Sequence, residues 1–419
     1  MAEVEVSGYG AVTPVGIGSS NFESALREGK SNFSVVEFPQ QEQLRFPGAL
    51  IDSFDLKSLL KELQLPEEVR KKAGRFRNVS VGTSCAIYCA LEAWIAAGLF
   101  DSPIEAERIA IVTGGSNTQL QDTLSLREKY TEKLKFTNPN YAINLFDTDV
   151  NGVISELLNI KGEGFSVGGA SASSSMALVQ AHRLFDTGLY DAVLVVAPMI
   201  NLSAYEFSSF TNLGAMATLG DGGSPGQLCR PFDNGHAGFV YGQNNGCVLL
   251  ETRESAQKRE RRNLVALSGS GTSLDGNRNP NPSVEGECRA MQMAIRSAGI
   301  SAAAINYINA HGTASPLGDQ TELEALQQAG VTGKPINSTK SIIGHGLTSA
   351  GVIEAIATII QMEKQFIHGS RNLTDPMPSE MELVPETITD TTIDYALSNA
   401  FGFGGINTAL IFKNLTITT

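Results

Sequence analysis

Apolar and polar residues alternate at the start of the chain, around Val4 and Val6, and this period of two predicts a strand over 4–9. The turn Gly10-Ala-Val-Thr-Pro-Val-Gly16 ends it, and helical spacing takes over at about 21–27. Residues 31–59 hold no sustained period and are expected to be irregular. A basic run, Arg70-Lys-Lys-Ala-Gly-Arg-Phe-Arg77, leads into an apolar stretch that predicts a long helix over 79–99. Further strands are expected at 108–113, 191–196, 238–241 and 246–251, with a polar helical stretch to about 134 and a helix over 146–158.

Near Thr252 the pattern restarts, which divides the chain into halves 1–252 and 253–419. The second half reads as helices at 254–262, 285–298, 320–328 and 347–362, with β-rich runs at 264–270, 305–309 and 336–338 and a glycine-punctuated closing strand over 399–411. Alternating helices and strands argue for α/β layers. Two helices stand out, one beginning at Ser171 and one near Gly346, because both follow a glycine turn and are small and apolar on most faces. Helices apolar nearly all round are buried. The expected architecture is therefore a duplicated α/β unit with these two helices side by side at its centre.

Hydrophobic residues make up 42% and charged residues 18%, enough to bury a core of ordinary size. The net charge of −13 argues against nucleic acid as a partner. Neither a signal peptide nor a membrane span is visible, so a cytoplasmic location is expected. Cys85 and Cys89, spaced i, i+4, read as reduced core residues, and the absence of paired CxxC or clustered histidines argues against a metal.

The chemistry concentrates where β-rich runs end in glycine. In Phe165-Ser-Val-Gly-Gly-Ala-Ser171 a strand turns sharply into a helix, with a positive φ expected at Gly168 or Gly169, and Ser171 stands where a nucleophile or an N-cap would stand. Asn309-Ala-His311-Gly-Thr313-Ala-Ser315, Lys340-Ser-Ile-Ile-Gly-His345 and Phe401-Gly-Phe403-Gly-Gly have the same character. His182, His236 and His368 lack that setting and read as structural.

These four ordered stretches resemble the β-ketoacyl-ACP synthases of the thiolase fold, a likeness that extends over essentially the whole chain through Arg230-Pro-Phe-Asp233 and Gly238-Phe-Val240. The resemblance implies a five-layered αβαβα fold. It also implies that His311 and His345 are the catalytic histidine pair, that Lys340 orders the site, and that Glu354 and Asp319 are its supporting acids. Phe403 corresponds to a gating residue whose N–H forms half of an oxyanion hole, and Thr313 and Ser315 to hydroxyls that hold a phosphopantetheine arm. The elbow residue of the family is cysteine, and here it is Ser171. A thiolate accepts an acyl chain at neutral pH, whereas a serine hydroxyl stays protonated without a general base. Loss of CO₂ from a malonyl thioester needs only hydrogen-bond donors at the developing enolate. The chain therefore resembles the serine-containing decarboxylating ketosynthases of polyketide β-branching, which implies malonyl-ACP decarboxylation with no cofactor beyond the carrier's phosphopantetheine. A serine-type acyltransferase or condensing enzyme, and a non-catalytic partner subunit similar to a chain-length factor, are the other readings. The implied partners are an acyl carrier protein docking on Lys71, Lys72, Arg75 and Arg77, a second copy of the chain, and an HMG-synthase-like enzyme reached through the shared carrier. The turn Gly242-Gln-Asn-Asn-Gly246 lacks the acidic residue expected there.

Overall fold

The computed structural model describes residues 3–41, 43–220, 224–278 and 280–416. Ten of the twelve strands that pair continuously among the described residues form two sheets of five. In the first half these are β1 (Val4–Thr13), β2 (Ile109–Gly114), β3 (Gly164–Val167), β4 (Ala192–Ala197) and β5 (Asn245–Thr252). In the second half they are β6 (Val265–Leu274), β7 (Tyr307–Asn309), β8 (Pro335–Asn337), β9 (Tyr395–Gly402) and β10 (Ile406–Asn414). The spatial order is β3-β2-β4-β5-β1 in one sheet and β8-β7-β9-β10-β6 in the other, so each strand of the second half takes the place of its counterpart in the first. Pair orientations repeat too: β2 runs parallel to β3 and β4, and β7 to β8 and β9, while the last two pairings of each sheet are antiparallel. The sheets join edge to edge where Val4 pairs with Leu267 and Glu5 with Ala266.

The helices repeat in the same way. Val81–Ala96 (α1) and Thr148–Leu158 (α2) cover the outer face of the first sheet, and Val284–Ala298 (α4) and Pro316–Gln328 (α5) that of the second. Ser173–Phe185 (α3) and Ala350–Lys364 (α6) lie between the sheets, which makes five layers. Every residue of α6 from Ala350 to Met362 is buried, as an all-round apolar helix requires. The central helices nearly touch: a Cβ on Gly351 would come within 2.6 Å of the Ser175 Cβ, and the Val352 N–H donates to Ser174 Oγ at 3.1 Å.

Three sequence expectations need correction. Residues 31–59 are not irregular: Phe33–Phe38 and Leu44–Ala49 pair antiparallel, and Leu56–Glu62 is a helix. The apolar residues of the two strands pack on a small cluster with Phe207 and Tyr241, whereas Leu56, Leu59 and Leu60 of the helix join the core beneath α1, and this change of partner blurs the period. The strand expected over 238–241 shrinks to Tyr241–Gly242. The central helices begin two to three residues later than read, each after a 3₁₀ turn, Ala170–Ala172 and Leu347–Ser349. No helix is long and apolar enough to cross a membrane among the described residues.

Candidate active site

The two 3₁₀ turns share their backbone geometry, and they build the site. Positive φ falls on Ala170 (48°) and on its counterpart Leu347 (52°), not on Gly168 or Gly169, the latter being extended at −174°. A non-glycine residue in this region is sparsely populated and is retained where surrounding packing imposes it. Ser173, not Ser171, ties the turn together, accepting from Gly169 N–H at 2.9 Å and donating to the Ala170 carbonyl at 2.7 Å. Ser171 is thereby released from capping, and its Oγ lies 2.9 Å from His345 Nε2.

His345 is 2% exposed, held by its backbone N–H on the Val240 carbonyl at 2.7 Å and by the Phe239 ring at 5.3 Å. The His311 ring stands edge-on to it, with centroids 5.5 Å apart, and Phe401 covers the other side of His311 at the same distance. Lys340 Nζ donates to the His311 carbonyl at 2.5 Å, lies 3.4 Å from His311 Nδ1, and pairs with Glu354, both members being 1% exposed. An ammonium facing Nδ1 leaves the ring proton on Nε2. Burial, and then the Lys340 charge, hold both histidines well below the usual imidazole range, so both are neutral at pH 7. Burial pushes Glu354 up to about 7, against the pull of Lys340.

Asp319 does not touch Lys340. It accepts from Phe232 N–H at 2.8 Å and Ala314 N–H at 3.1 Å and faces His236 Nδ1 at 2.9 Å, so it holds the 311–315 turn from beneath. One residue absent from the sequence expectations is Glu322, which accepts from the backbone N–H groups of His311 (2.9 Å) and Gly312 (2.8 Å) and from Asn399 Nδ2 (3.0 Å). Its spacing of three from Asp319 on one helix face was the available signal.

Ser171, His311, His345, Thr313, Ser315 and Phe403 all line one cavity of about 270 Å³, with Thr348, Asp275 and Glu287 also in its wall. Phe403 is 41% exposed on a loop whose bend rests on Gly404 and Gly405, both at positive φ. The basic run does not reach this cavity. Lys71 pairs with Glu67 at 3.6 Å, Lys72 donates to the Glu156 carbonyl, Arg77 donates to the Gly74 carbonyl at 3.2 Å, and Arg75 is exposed. His182 contacts Ser270 Oγ at 3.0 Å and His368 is enclosed by Asn337, Thr339 and Gly369, both away from the cavity.

Chemically, the arrangement offers two neutral imidazoles and a hydroxyl on the wall of a half-open cavity, and an imidazole whose ring proton lies on Nε2 can stabilise an oxyanion there. The family described as beta-ketoacyl synthase, N-terminal domain, matches residues 1–256, and its C-terminal domain matches 264–374. The polyketide biosynthesis malonyl-ACP decarboxylase PksF of Bacillus subtilis is 37% identical, with 99% of this chain and 97% of that protein covered. The 3-oxoacyl-[acyl-carrier-protein] synthase 2 of Vibrio harveyi is 30% identical over 98% of each chain. Among solved structures, a beta-ketoacyl synthase from Burkholderia phymatum superposes with a TM-score of 0.87 at 27% identity, covering 99% of this chain and all of that one. The ishigamide ketosynthase/chain length factor shares the fold at a TM-score of 0.86 and 22% identity, covering 99% of each chain. By its matched domains, its relatives and its repeated five-layered fold, this chain belongs to the beta-ketoacyl synthase family.

Proposed function

We propose that the chain removes CO₂ from a malonyl group borne on an acyl carrier protein and releases the acetyl thioester, in support of polyketide β-branching. The observation that carries this reading is the Ser171–His345 contact between two neutral groups. His345 Nδ1 is buried without a partner among the described residues, so no carboxylate stands behind the imidazole to complete a nucleophilic triad. Ser171 then stays a hydroxyl, and the position that a thiolate would occupy in a condensing relative loads no acyl chain. The N–H groups of His311 and His345 meet the thioester oxygen as enolate charge develops, and each removed donor of this kind costs about 3–4 kcal/mol. The likeness to the decarboxylase of Bacillus subtilis supports the same reading.

The test is incubation with malonyl-ACP alone. Acetyl-ACP and CO₂ are expected, with no ketoacyl product, and His311→Ala or His345→Ala should slow release by about 10²-fold or more. A rate unaffected by both variants would falsify the proposal. The 2.9 Å Ser171–His345 contact also suits the acyltransferase reading. An acyl adduct on Ser171 by intact-protein mass spectrometry would select that reading.

We assign carrier docking to the face bearing Lys71, Lys72, Arg75 and Arg77, of which Arg75 and Arg77 are the exposed cations without a carboxylate partner among the described residues. Reversing both to Glu should raise KM for malonyl-ACP and leave kcat in place. Leu134, Phe136, Ile143, Leu145 and Phe146 are all exposed within one short segment, and a patch of that kind supports a homodimer. Light scattering at the mass of a single chain would contradict it.

A further inference from the structure

Glu287, in the first turn of α4, is 1% exposed and lines the same cavity as Ser171, His311 and His345. Its Oε2 is buried without a partner and no cation pairs with the carboxyl among the described residues. Among the described residues, the elements packed on α4 bring two more carboxyls towards it and no positive charge. Glu322 comes from α5, already committed to the 311–312 backbone, and Asp275 from the end of β6, bonded to Asn407 Nδ2 at 2.7 Å. A charged Glu287 would face both without a donor, which is unfavourable in an enclosed wall. Burial and these two neighbours accordingly push Glu287 far above the usual carboxylate range. The cavity wall thus holds a carboxyl group whose neutral form is favoured and which has no hydrogen-bond partner among the described residues.

We infer that Glu287 is the general acid that returns a proton to the enolate carbon, an assignment that rests on the decarboxylase reading above. The bond between the α carbon and the malonyl carboxylate breaks, its electron pair enters the thioester as an enolate, and CO₂ leaves. The Glu287 O–H bond then breaks, its proton forms the new C–H bond, and the thioester C=O is restored. The carboxylate left behind regains a proton from solvent. Decarboxylation without condensation requires this last step, because the carbanion has no acyl group to attack.

The test follows acetyl-ACP formation from malonyl-ACP together with return of ¹³C-labelled CO₂ into malonyl-ACP. In Glu287→Gln, acetyl formation should fall about 10²-fold while label return rises relative to acetyl release, since an unprotonated enolate recaptures CO₂. The native carboxyl is uncharged, so glutamine replaces it at an unchanged melting temperature. Glu287→Asp, which keeps the acid but withdraws it by one methylene, should give an intermediate ratio. A folded Gln variant with the wild-type ratio overturns the assignment, and so does a ratio that changes only in Ser171→Ala, which would make the serine hydroxyl the donor. Wild-type protein that forms no acetyl-ACP sinks the decarboxylase reading and this proposal with it, a result distinct from either of the others.

Discussion

Lys340 shows how much one buried side chain decides. Its ammonium binds the His311 carbonyl, faces Nδ1 of the same ring and pairs with Glu354, so it sets the position and the tautomer of one imidazole at once. Removing one partner of a buried ion pair typically costs about 3–5 kcal/mol, while replacing both by apolar groups is often neutral. Glu354, already pushed up to about 7, sheds its charge readily, so Lys340→Met should fall at the low end of that range. We predict that Lys340→Met/Glu354→Leu recovers most of the stability in urea unfolding but not CO₂ release, because the His311 ring stays unanchored. Recovery of both would reduce the pair to a structural role. At this scale the histidine, lysine and serine positions were legible because each sits in a glycine-bounded motif. Asp319 was legible as a supporting acid but not which groups it supports, and Glu322 was missed, because which carboxylate reaches which donor depends on the orientation of α5 against the 311–315 turn, a relation that spacing along the chain does not carry.

The two central helices are organised by their entry turns. Ala170 and Leu347 adopt the same left-handed conformation, α3 and α6 follow, and the close approach at Gly351 sets the distance between them. Gly351→Ala would force a methyl group to within 2.7 Å of the Ser175 backbone nitrogen, a contact that only a backbone shift relieves. Overpacking of this kind costs about 1–3 kcal/mol. The expected result is a lower denaturation midpoint and weaker CO₂ release, since Ser171 lies on one of these turns and His345 two residues before the other; an unchanged midpoint would contradict the packing. The duplication of these helices was visible in their composition. Their true starting points were not, because a 3₁₀ turn and an α-helical first turn are written in the same residues.

Across the whole molecule, burial shifts two sets of groups in opposite senses. His182, His311, His345 and His368 have folded pKa values below 6.5, His368 near 4. Their contribution to stability is fully present above 6.5 and is lost as pH falls, because the unfolded chain takes up the protons. Glu354, Glu322, Glu287 and Glu363 are raised, so their contribution is present below about 4.5 and is lost as pH rises, through about 7 for Glu354. The two sets cancel in part, and the stability profile should be shallow between these limits. His368 can be isolated. The stability advantage of the wild type over His368→Asn should shrink by a few kcal/mol as pH falls from 6.5 to 4, measured by thermal or urea unfolding at each pH; a constant difference would contradict a neutral buried imidazole.

Hydrophobic period and glycine placement alone determined the α/β layering, the two buried helices and the stretches that carry the chemistry, because both act on neighbours a few residues apart. Only the tertiary structure decided that β1 and β6 join the sheets, that Ala170 rather than a glycine takes the strained conformation, and that Glu287 enters the cavity beside two other acids. Each of these rests on groups that are distant in the chain and meet only once the layers have closed, where burial and neighbouring charge, not residue type, set what a side chain can do.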